Sequence, residues 1–234
     1  SSSKDPFALR RLALGVIKII IENKNHIKLK DLIKYSVSLY KDQGFKFENK
    51  LLQKELSEFL MERLKFYMKE ENIRNDIIQA SINSHNLDQL VVIFEKAKHL
   101  DKIISKSNGY EIISSYKRAS NILESALKGQ NFDLSNTTDP SIFKTDFEKN
   151  LYKKISEIKK YYLDVDNDEN YEESLMILSG AKREIFEFFD NVKVNEENES
   201  LRKNRLELIN MLCKTFQNFI NFQLLKANNE QANS

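Results

Sequence analysis

The sequence predicts an all-α protein, and two observations support this class. The chain has 234 residues but only 5 Gly and 2 Pro, whereas a β-sheet protein needs many turn-forming residues between its strands. In addition, apolar residues recur at intervals of three and four, which is the period of an amphipathic helix. A chain of this length can form one large or two small cores. We therefore expect a helical bundle with two packed helical domains.

The charge balance limits the partners that the chain can attract. It has 37 Lys and Arg residues against 35 Asp and Glu residues, which gives a formal net charge of +2. A nearly neutral protein has no overall basic field. Any binding to a nucleic acid must therefore depend on local basic patches.

The first predicted helix begins at Asp5 and Pro6, because Asp caps free N–H groups and Pro is tolerated at the first helical position. It ends at residues 23–25. Its core-facing stripe is expected to consist of Leu9, Leu12, Val16 and Ile20, with Ala13 and Ile17 beside them.

Further helices are predicted along the chain, and a break at residues 107–109 separates two domains. The first domain is expected to cover residues 1–106 and the second residues 107–227, with a disordered tail at 228–234. Apolar spacing places further helices at about residues 30–41, 50–70, 73–83, 86–104, 141–162 and 171–189. Two more helices carry buried stripes of Ile113, Tyr116, Leu123 and Leu127, and of Leu201, Leu208, Leu212, Phe216 and Ile220.

The sequence also carries signals about compartment. Cys213 is the single cysteine and falls on the apolar stripe of the last helix, so we expect a buried structural thiol. The apolar run Val16–Ile21 contains Lys18 and is too short to cross a bilayer, and no signal peptide is evident. The chain begins with three serines and no methionine, so we expect a fragment of a longer protein. A reducing cytoplasm is the expected location.

The groupings of residues that catalysis needs are missing from the sequence. The five glycines are isolated from one another, so no glycine-rich phosphate loop is predicted. His26, His85 and His99 do not pair with Cys213 or with each other at ligand spacing. We therefore expect no catalytic residue in this chain.

One acidic segment is similar to the start of a calcium-binding loop. Residues 164–168 alternate Asp with other residues, as such a loop does. The loop also needs Gly at its sixth place and Glu at its twelfth, and here these places hold Glu169 and Leu175. We therefore expect a solvated loop and no metal site.

Four short strings carry a resemblance to a known family. They are DPFALRRLALG at 5–15, KRASNIL at 117–123, FFDNVKV at 188–194 and LRKNRL at 201–206. In this order and at these separations they resemble the β subunit of the heterotetrameric bacterial glycyl-tRNA synthetase, from its helical body to its C-terminus. The resemblance covers nearly the whole chain and leaves out only the polar stretch Gly129–Thr138.

The resemblance implies a division of labour between two subunits. The separate α subunit carries most of the aminoacylation site, while the β subunit contributes tRNA binding. The half of this chain after about Lys106 would then be an anticodon-binding helical bundle, which does not aminoacylate alone. The implied partners are glycine tRNA and the α subunit, in an α2β2 assembly, with no DNA and no membrane. This fragment would hold no cofactor, whereas the whole enzyme would use ATP and magnesium.

The helix that contains the second string has a polar face. When its apolar residues point to the core, another face carries Ser114, Arg118, Asn121 and Ser125. Lys117 neighbours Asn121, four residues along the helix. Such side chains can hydrogen-bond unstacked bases and hold phosphates. Lys117, Arg118 and Asn121 are therefore the first candidates for tRNA contact, and a merely solvated helix surface is the alternative.

Basic residues supply further candidates. Residues 96–118 contain six bases and two acids, which predicts a phosphate-binding patch that includes Lys98, Lys102 and Lys106. Arg10 and Arg11 lie on the first helix, where they would either contact the tRNA stem or pack against another part of the protein.

The fourth string points to a structural ion pair. Arg202 and Arg205 follow Asp190 across a short link, so we expect an Arg–Asp pair that ties this link to the last helix. RNA contact by the two arginines is the alternative. If the pair is buried, breaking it would cost about 3–5 kcal/mol.

Two other functions fit the composition. One is an anticodon-binding domain of another synthetase, such as the arginyl enzyme, whose class ends with similar third and fourth strings. The first two strings argue against it. The other is a helical protein-interaction scaffold, which salt-dependent tRNA binding would exclude, because phosphate contacts weaken steeply with salt.

Overall fold

The computed structural model describes residues 5, 7–83, 88–105, 109–128, 134–135, 137–164 and 170–226. Within these residues the chain is helical and contains no β-strand, and a single isolated antiparallel bridge joins Lys28 to Gln89. The predicted all-α class is therefore confirmed. None of the helices in this part of the chain is long and apolar enough to cross a membrane.

The contacts divide the chain into two units, Ser1–Lys98 and His99–Ser234. The first unit contains α1 (Leu9–Glu22), α2 (Leu29–Asp42), α3 (Asn49–Glu70), α4 (Asn75–Ile82) and the beginning of α5 (Leu90–Ile104). Both α1 and α2 pack against α3, and α4 packs against α3 as well. The division falls within α5, before the boundary that the sequence predicted at residue 106.

The start of α1 differs from the prediction. Ala8, just before the helix, has a φ of 55°, in the left-handed region, so helical geometry does not extend back to Asp5. Asp5 still contacts the start of this helix, because its carboxylate accepts a hydrogen bond from the Arg10 backbone N–H at 3.4 Å. Pro6 lies outside the described residues.

The face of α1 that meets the core was also predicted wrongly. Leu9, Leu12 and Val16 are exposed, and of the predicted stripe itself only Ile20 is buried. The buried residues of α1 are Ala13, Ile17, Ile20 and Ile21. Helix α1 has apolar residues on two faces, so periodicity alone does not decide which face packs against α3.

The second unit is arranged around its last long helix. It contains α6 (Gly109–Leu127), α7 (Asp146–Asp164), α8 (Tyr171–Ser179), α9 (Lys182–Asn191) and α10 (Glu199–Gln217), with 3-10 helices at Pro140–Ile142 and Phe222–Leu224. Helix α10 packs against α6 and α7, and α9 packs against the same two helices. Most side chains of α10 between Asn204 and Phe216 are buried. The rings of Tyr116, Phe216 and Phe222 cluster with centroids 5.1–5.9 Å apart.

A break divides the helix that was predicted at residues 171–189. Helix α8 ends before Gly180, and α9 begins after Ala181, whose side chain is fully buried. A Cβ at position 180 would lie 3.3 Å from the Ile177 carbonyl oxygen, so this close approach favours glycine. A lone glycine does not reveal such a break in the sequence, because helices tolerate one.

Cys213, on α10, is buried, which confirms the predicted structural thiol. Burial raises the pKa of this thiol to about 12, and the charge of Glu124 adds to the rise. The thiol therefore stays protonated near neutral pH and packs as an apolar group.

Candidate nucleic-acid interface

Helix α6 presents the polar face that the sequence predicted. The four residues that we call the α6 polar face, Ser114, Arg118, Asn121 and Ser125, are all exposed. On the opposite side, Tyr116 and Leu123 are buried in the core. Leu127, which was predicted to be buried, is 36% exposed because it is the last residue of the helix. The core contacts of α6 therefore fix which of its polar side chains face the solvent.

Arg118 is held in place by three contacts to the end of α9. Its Nη1 donates to Asp190 Oδ1 at 3.1 Å, and its Nη2 donates to the Phe189 carbonyl oxygen at 3.1 Å. Its guanidinium also lies 5.1 Å from the centroid of the Phe189 ring. The side chains of Arg118 and Asp190 remain 47% and 41% exposed. Arg118 is thus oriented by the protein while part of its surface stays open to a ligand.

A groove runs between α6 and α9, and we call it the α6–α9 groove. Its volume is about 570 Å³, within the roughly 300–1,000 Å³ range of ligand pockets. The residues that line it are Tyr110, Glu111, Ser114, Ser115, Arg118, Lys182, Ile185, Phe186 and Phe189. Lys182 forms an ion pair with Glu111 across this groove. The Phe186 ring is 60% exposed although it lines the groove wall.

A second opening, which we call the α6–α10 cleft, includes Asn121 and Ser125 of the α6 polar face. Its volume is about 450 Å³. It is lined by Asn121, Ile122, Ser125, Ala126, Val194, Asn195, Arg202 and Leu206. The amides of Asn121 and Asn195 can each donate and accept hydrogen bonds. This cleft therefore has amide groups that can donate and accept hydrogen bonds, whereas the groove has aromatic rings.

The link between α9 and α10 forms one wall of the cleft, and Arg205 fixes this link. Arg205 Nη1 donates to the Lys193 carbonyl oxygen at 2.7 Å and to Glu196 Oε2 at 3.3 Å. Arg202 Nη1 donates to the Glu196 carbonyl oxygen at 3.0 Å. Both arginines therefore hold the backbone on either side of Asn195.

The structure corrects the predicted partner of Asp190. This carboxylate pairs with Arg118, and Arg205 pairs with Glu148 through its Nε at 2.8 Å. The physical reason is the position of each group: Arg205 lies on the buried side of α10, with its side chain 5% exposed, while Asp190 lies at the half-exposed end of α9. Arg205 does tie the link to the last helix, but through other partners.

Glu148, the partner of Arg205, is fully buried and is the acceptor at the centre of a hydrogen-bond network. Its carboxylate also accepts from the Thr145 N–H and hydroxyl and from the Lys144 N–H, at 2.8–3.0 Å. The Glu148 backbone N–H in turn donates to Thr145 Oγ1 at 3.3 Å, which caps the start of α7. Burial alone would raise the pKa of Glu148, but the hydrogen bonds from Arg205, Thr145 and Lys144 outweigh it and hold the pKa below its usual value. The Thr-x-x-Glu spacing at 145–148 is a capping-box signal that sequence analysis overlooked.

Four lysines were also candidates, and none of them is one of the four residues that form the α6 polar face. Lys98, in the first unit, lies 5.4 Å from the Phe94 ring centroid, and Lys102, in the second unit, is exposed on α5. Lys117 is partly buried, and Lys106 lies outside the described residues. RNA contact by these lysines stays a prediction.

Arg10 and Arg11 are both exposed on α1. The Arg11 Nε lies 4.0 Å from Asp5 Oδ2, with the Arg11 side chain 80% exposed. An exposed pair of this length contributes little to stability. Neither RNA contact nor a packing role is assigned to these arginines by the geometry.

Two residues of the interface escaped sequence analysis. Phe186 directly follows Ile185, whose side chain is buried, and so it points about 100° away from the apolar stripe of α9. An aromatic residue out of phase with its helix was the available signal. Asn195 lies in the link, where no periodicity exists to indicate its orientation.

Within the described residues, no group of three His, Cys, Asp or Glu side chains could hold a metal ion. His26 Nδ1 lies 3.2 Å from Gln89 Oε1, and the His99 ring centroid lies 5.9 Å from that of Tyr171. His85 and residues 165–169, the centre of the acidic segment, lie outside the described part of the chain.

Comparison with known proteins finds a family match in each half of the chain. Residues 1–83 match the family described as glycyl-tRNA synthetase beta subunit, and residues 112–228 match the DALR anticodon binding domain family. The glycine–tRNA ligase beta subunit of Rickettsia canadensis (strain McKiel) is 36% identical over 225 residues, which cover 96% of this chain and 32% of that protein. That of Rickettsia prowazekii (strain Madrid E) is 36% identical over 222 residues, or 95% of this chain and 31% of that protein.

This chain therefore spans about a third of the length of the curated relatives that it matches. The resemblance to glycyl-tRNA synthetase β subunits that the four strings predicted is confirmed over nearly the whole chain. The α6 polar face and both of its openings lie almost entirely within residues 112–228. Since that match covers half of the chain, the protein belongs to the DALR anticodon binding domain family.

Proposed function

We propose that this chain is the anticodon-binding part of a glycine–tRNA ligase β subunit. The observation that carries the proposal is the α6 polar face, which opens onto a groove and a cleft within the segment of anticodon-binding type. Anticodon loops present unstacked bases, and proteins recognise such bases by hydrogen bonds to their edges and by stacking. The amides of the cleft and the aromatic rings of the groove provide both kinds of contact.

The α6–α10 cleft is the proposed site of base reading. Asn121 comes from a helix and Asn195 from a link that Arg205 and Arg202 fix, so the backbone that carries each amide is held before RNA binds. An amide can form two hydrogen bonds to one base edge, and these are lost when the base is changed. Arg118, one helical turn from Asn121, would present its guanidinium plane to the RNA.

The remainder of the enzyme is proposed to supply the chemistry. In this proposal the α subunit carries the aminoacylation site, with ATP and magnesium, and joins the β subunit in a cytoplasmic α2β2 assembly. The β chain, through the residues described above, would bind glycine tRNA and orient it. It would form no covalent bond with the substrate.

The proposal is tested by titrating labelled glycine tRNA with the 234-residue chain at two salt concentrations. A second tRNA differs only in the middle base of the anticodon. We expect weaker binding of the changed tRNA and a clear decrease in affinity as salt rises, because phosphate contacts release counterions. Equal affinity for the two tRNAs would refute anticodon reading by this chain.

The Asn121→Ala variant tests whether the anticodon base is recognised in the α6–α10 cleft. We expect the variant to lose the preference for the unchanged anticodon, by roughly 5- to 150-fold, since one base contact contributes about 1–3 kcal/mol. Ala is a better helix former than Asn by up to about 0.7 kcal/mol, so the loss cannot come from a weakened helix. Asn150→Ala, at an exposed position of α7, is the matched control and should keep the preference.

A further inference from the structure

We infer that the α6–α9 groove binds one unpaired nucleobase of the RNA by stacking it on the ring of Phe186. The inference rests on the proposed function, because it assigns a second part of the same interface. It adds a division between affinity and discrimination: the groove holds a base of any sequence, and the neighbouring cleft reads one.

Phe186 is the residue on which the inference depends. Its neighbours Ile185, Phe188 and Phe189 are buried, whereas its own ring is 60% exposed and lines the groove. A single exposed apolar side chain on a protein surface needs no explanation. A ring that forms the wall of an opening of about 570 Å³ is different, because a flat ligand can be covered on more than one side there.

Arg118 supplies a second planar group in the same groove. Asp190 and the Phe189 carbonyl oxygen fix its guanidinium close to the Phe189 ring. Arginine planes and aromatic rings are the two side-chain surfaces on which unpaired bases stack. Because these contacts already orient Arg118, little side-chain entropy is lost when a base binds beside it.

The charges of the groove favour a base over a phosphate. Its two cations are each matched by a carboxylate: Lys182 by Glu111, and Arg118 by Asp190. A phosphate site would need excess positive charge. An uncharged, aromatic ligand such as a nucleobase fits a groove whose charges are internally paired and whose remaining lining includes Ile185, Phe186 and Phe189.

Stacking and edge reading differ in what they recognise. Every base has a π-face, so stacking on Phe186 tolerates any sequence. Hydrogen bonds from Asn121 depend on the donor and acceptor pattern of one base. The groove therefore contributes the same binding energy for matched and changed anticodons, while the cleft separates them.

The test uses the full 234-residue chain and two anticodon stem-loop RNAs, one with the glycine anticodon and one with its middle base changed. Phe186→Ala should weaken the binding of both RNAs by the same factor, roughly 5- to 150-fold, which is the usual range for one stacked base. Phe186→Tyr keeps an aromatic ring and should bind within about twofold of the unaltered chain, whereas Phe186→Leu should resemble Phe186→Ala.

Met176→Ala is the matched control, because this side chain on α8 is equally exposed, at 62%, and lies outside the groove. It should leave both affinities unchanged. A 2-aminopurine placed in turn at each loop position reports the stack directly: one position should lose fluorescence on binding the unaltered chain and regain it with Phe186→Ala.

The outcomes separate this inference from the proposed function. If the unaltered chain prefers the glycine anticodon but Phe186→Ala binds as tightly as it does, the stacking site is refuted and the anticodon proposal stands. If Phe186→Ala loses the preference instead of overall affinity, the division between groove and cleft is wrong. If the unaltered chain binds neither RNA, the proposed function and the inference fail together.

Discussion

The two units of this protein differ in where they place charged and apolar residues. The second unit buries charges: Glu148, Arg205 and Glu207 are almost inaccessible, and hydrogen bonds satisfy them inside the unit. The first unit leaves much apolar surface exposed, and α1 alone presents a second stripe of Leu9, Leu12, Val16 and Ile19 to the solvent. The second unit thus pairs buried charges across its segments, while in the first unit α1 carries more apolar residues than its inner face uses.

This difference decides which substitutions destabilise which unit. In the second unit, the buried network joins the start of α7, the α9–α10 link and α10, so one side chain holds three segments. In the first unit, packing of the inner face of α1 against α3 is the main connection of this helix. Buried charged contacts therefore join three segments in the second unit, whereas the buried Arg74–Asp76 pair of the first unit joins residues at the start of one helix.

The largest effect is expected from Arg205→Ala. The substitution leaves Glu148 charged and buried without its cation, which costs about 3–5 kcal/mol in comparable buried pairs. It also releases the link beside Asn195, so base reading should weaken together with stability. Urea unfolding measures the first effect and tRNA titration the second. Lys203→Ala, an exposed change on the same helix, is the control, and an equal loss in both variants would contradict the buried network.

A second prediction sharpens the contrast within α1. Ile17 is fully buried and Ile19 is 60% exposed, although the two have the same side chain and are two residues apart. Ile17→Ala should lower the free energy of unfolding by about 2–5 kcal/mol. Ile19→Ala should change it by no more than about 0.5 kcal/mol. Thermal unfolding of the two variants checks this, and the reverse order would mean that the core-facing side of α1 is assigned wrongly.

The same pair of isoleucines shows what the sequence could and could not predict. Composition and spacing predicted the helical class, because these depend on local properties of the chain. They did not predict the buried face of α1, since Leu9, Leu12 and Val16 form as good a stripe as Ala13, Ile17 and Ile20. The choice depends on the shape of the surface that α3 offers, which only the packed unit determines.

The interface shows a similar limit. The polar face of α6 followed from helical spacing, because the apolar residues of that helix lie on one side only. The Arg118–Asp190 and Arg205–Glu148 pairs did not follow, because the two residues of each pair are at least 57 positions apart in the chain. Sequence proximity suggested Asp190 for Arg205, whereas burial selects Glu148. Long-range pairing of charges depends on tertiary position, which local spacing does not contain.

Acid sensitivity should reside in the second unit. Because hydrogen bonds hold the pKa of Glu148 below its ordinary value of 4.5, this group stabilises the fold fully above about pH 4.5. That contribution is lost as the pH falls through the lower, folded-state pKa. Hydrogen bonds from Ser141 also hold the pKa of Asp139 below its usual range, so the unaltered chain alone does not isolate Glu148.

The Glu148→Gln variant separates the contribution of Glu148 to acid sensitivity from that of Asp139. The variant should be less stable at neutral pH, and its stability should fall less steeply between pH 5 and pH 3 than that of the unaltered chain, because one titrating group is gone. Urea unfolding at several pH values measures both slopes. Equal slopes would show that Glu148 has the same pKa in the folded and unfolded chains.

A small effect on stability, together with the sharpest separation of stability from function, is expected at Arg118. Its pair with Asp190 is nearly half exposed, so Arg118→Ala should lower the free energy of unfolding by at most about 1 kcal/mol. Affinity for glycine tRNA should fall by about tenfold, because the guanidinium plane that lies beside the bound base is removed. Arg183→Ala is the matched control: this arginine lies on α9 and forms an exposed pair with Glu187 at 2.8 Å, away from the groove lining. If both variants bind tRNA equally well, Arg118 serves only to join α6 to α9. If only Arg118→Ala loses affinity, Arg118 belongs to the RNA interface, although it contributes little to the stability of the fold.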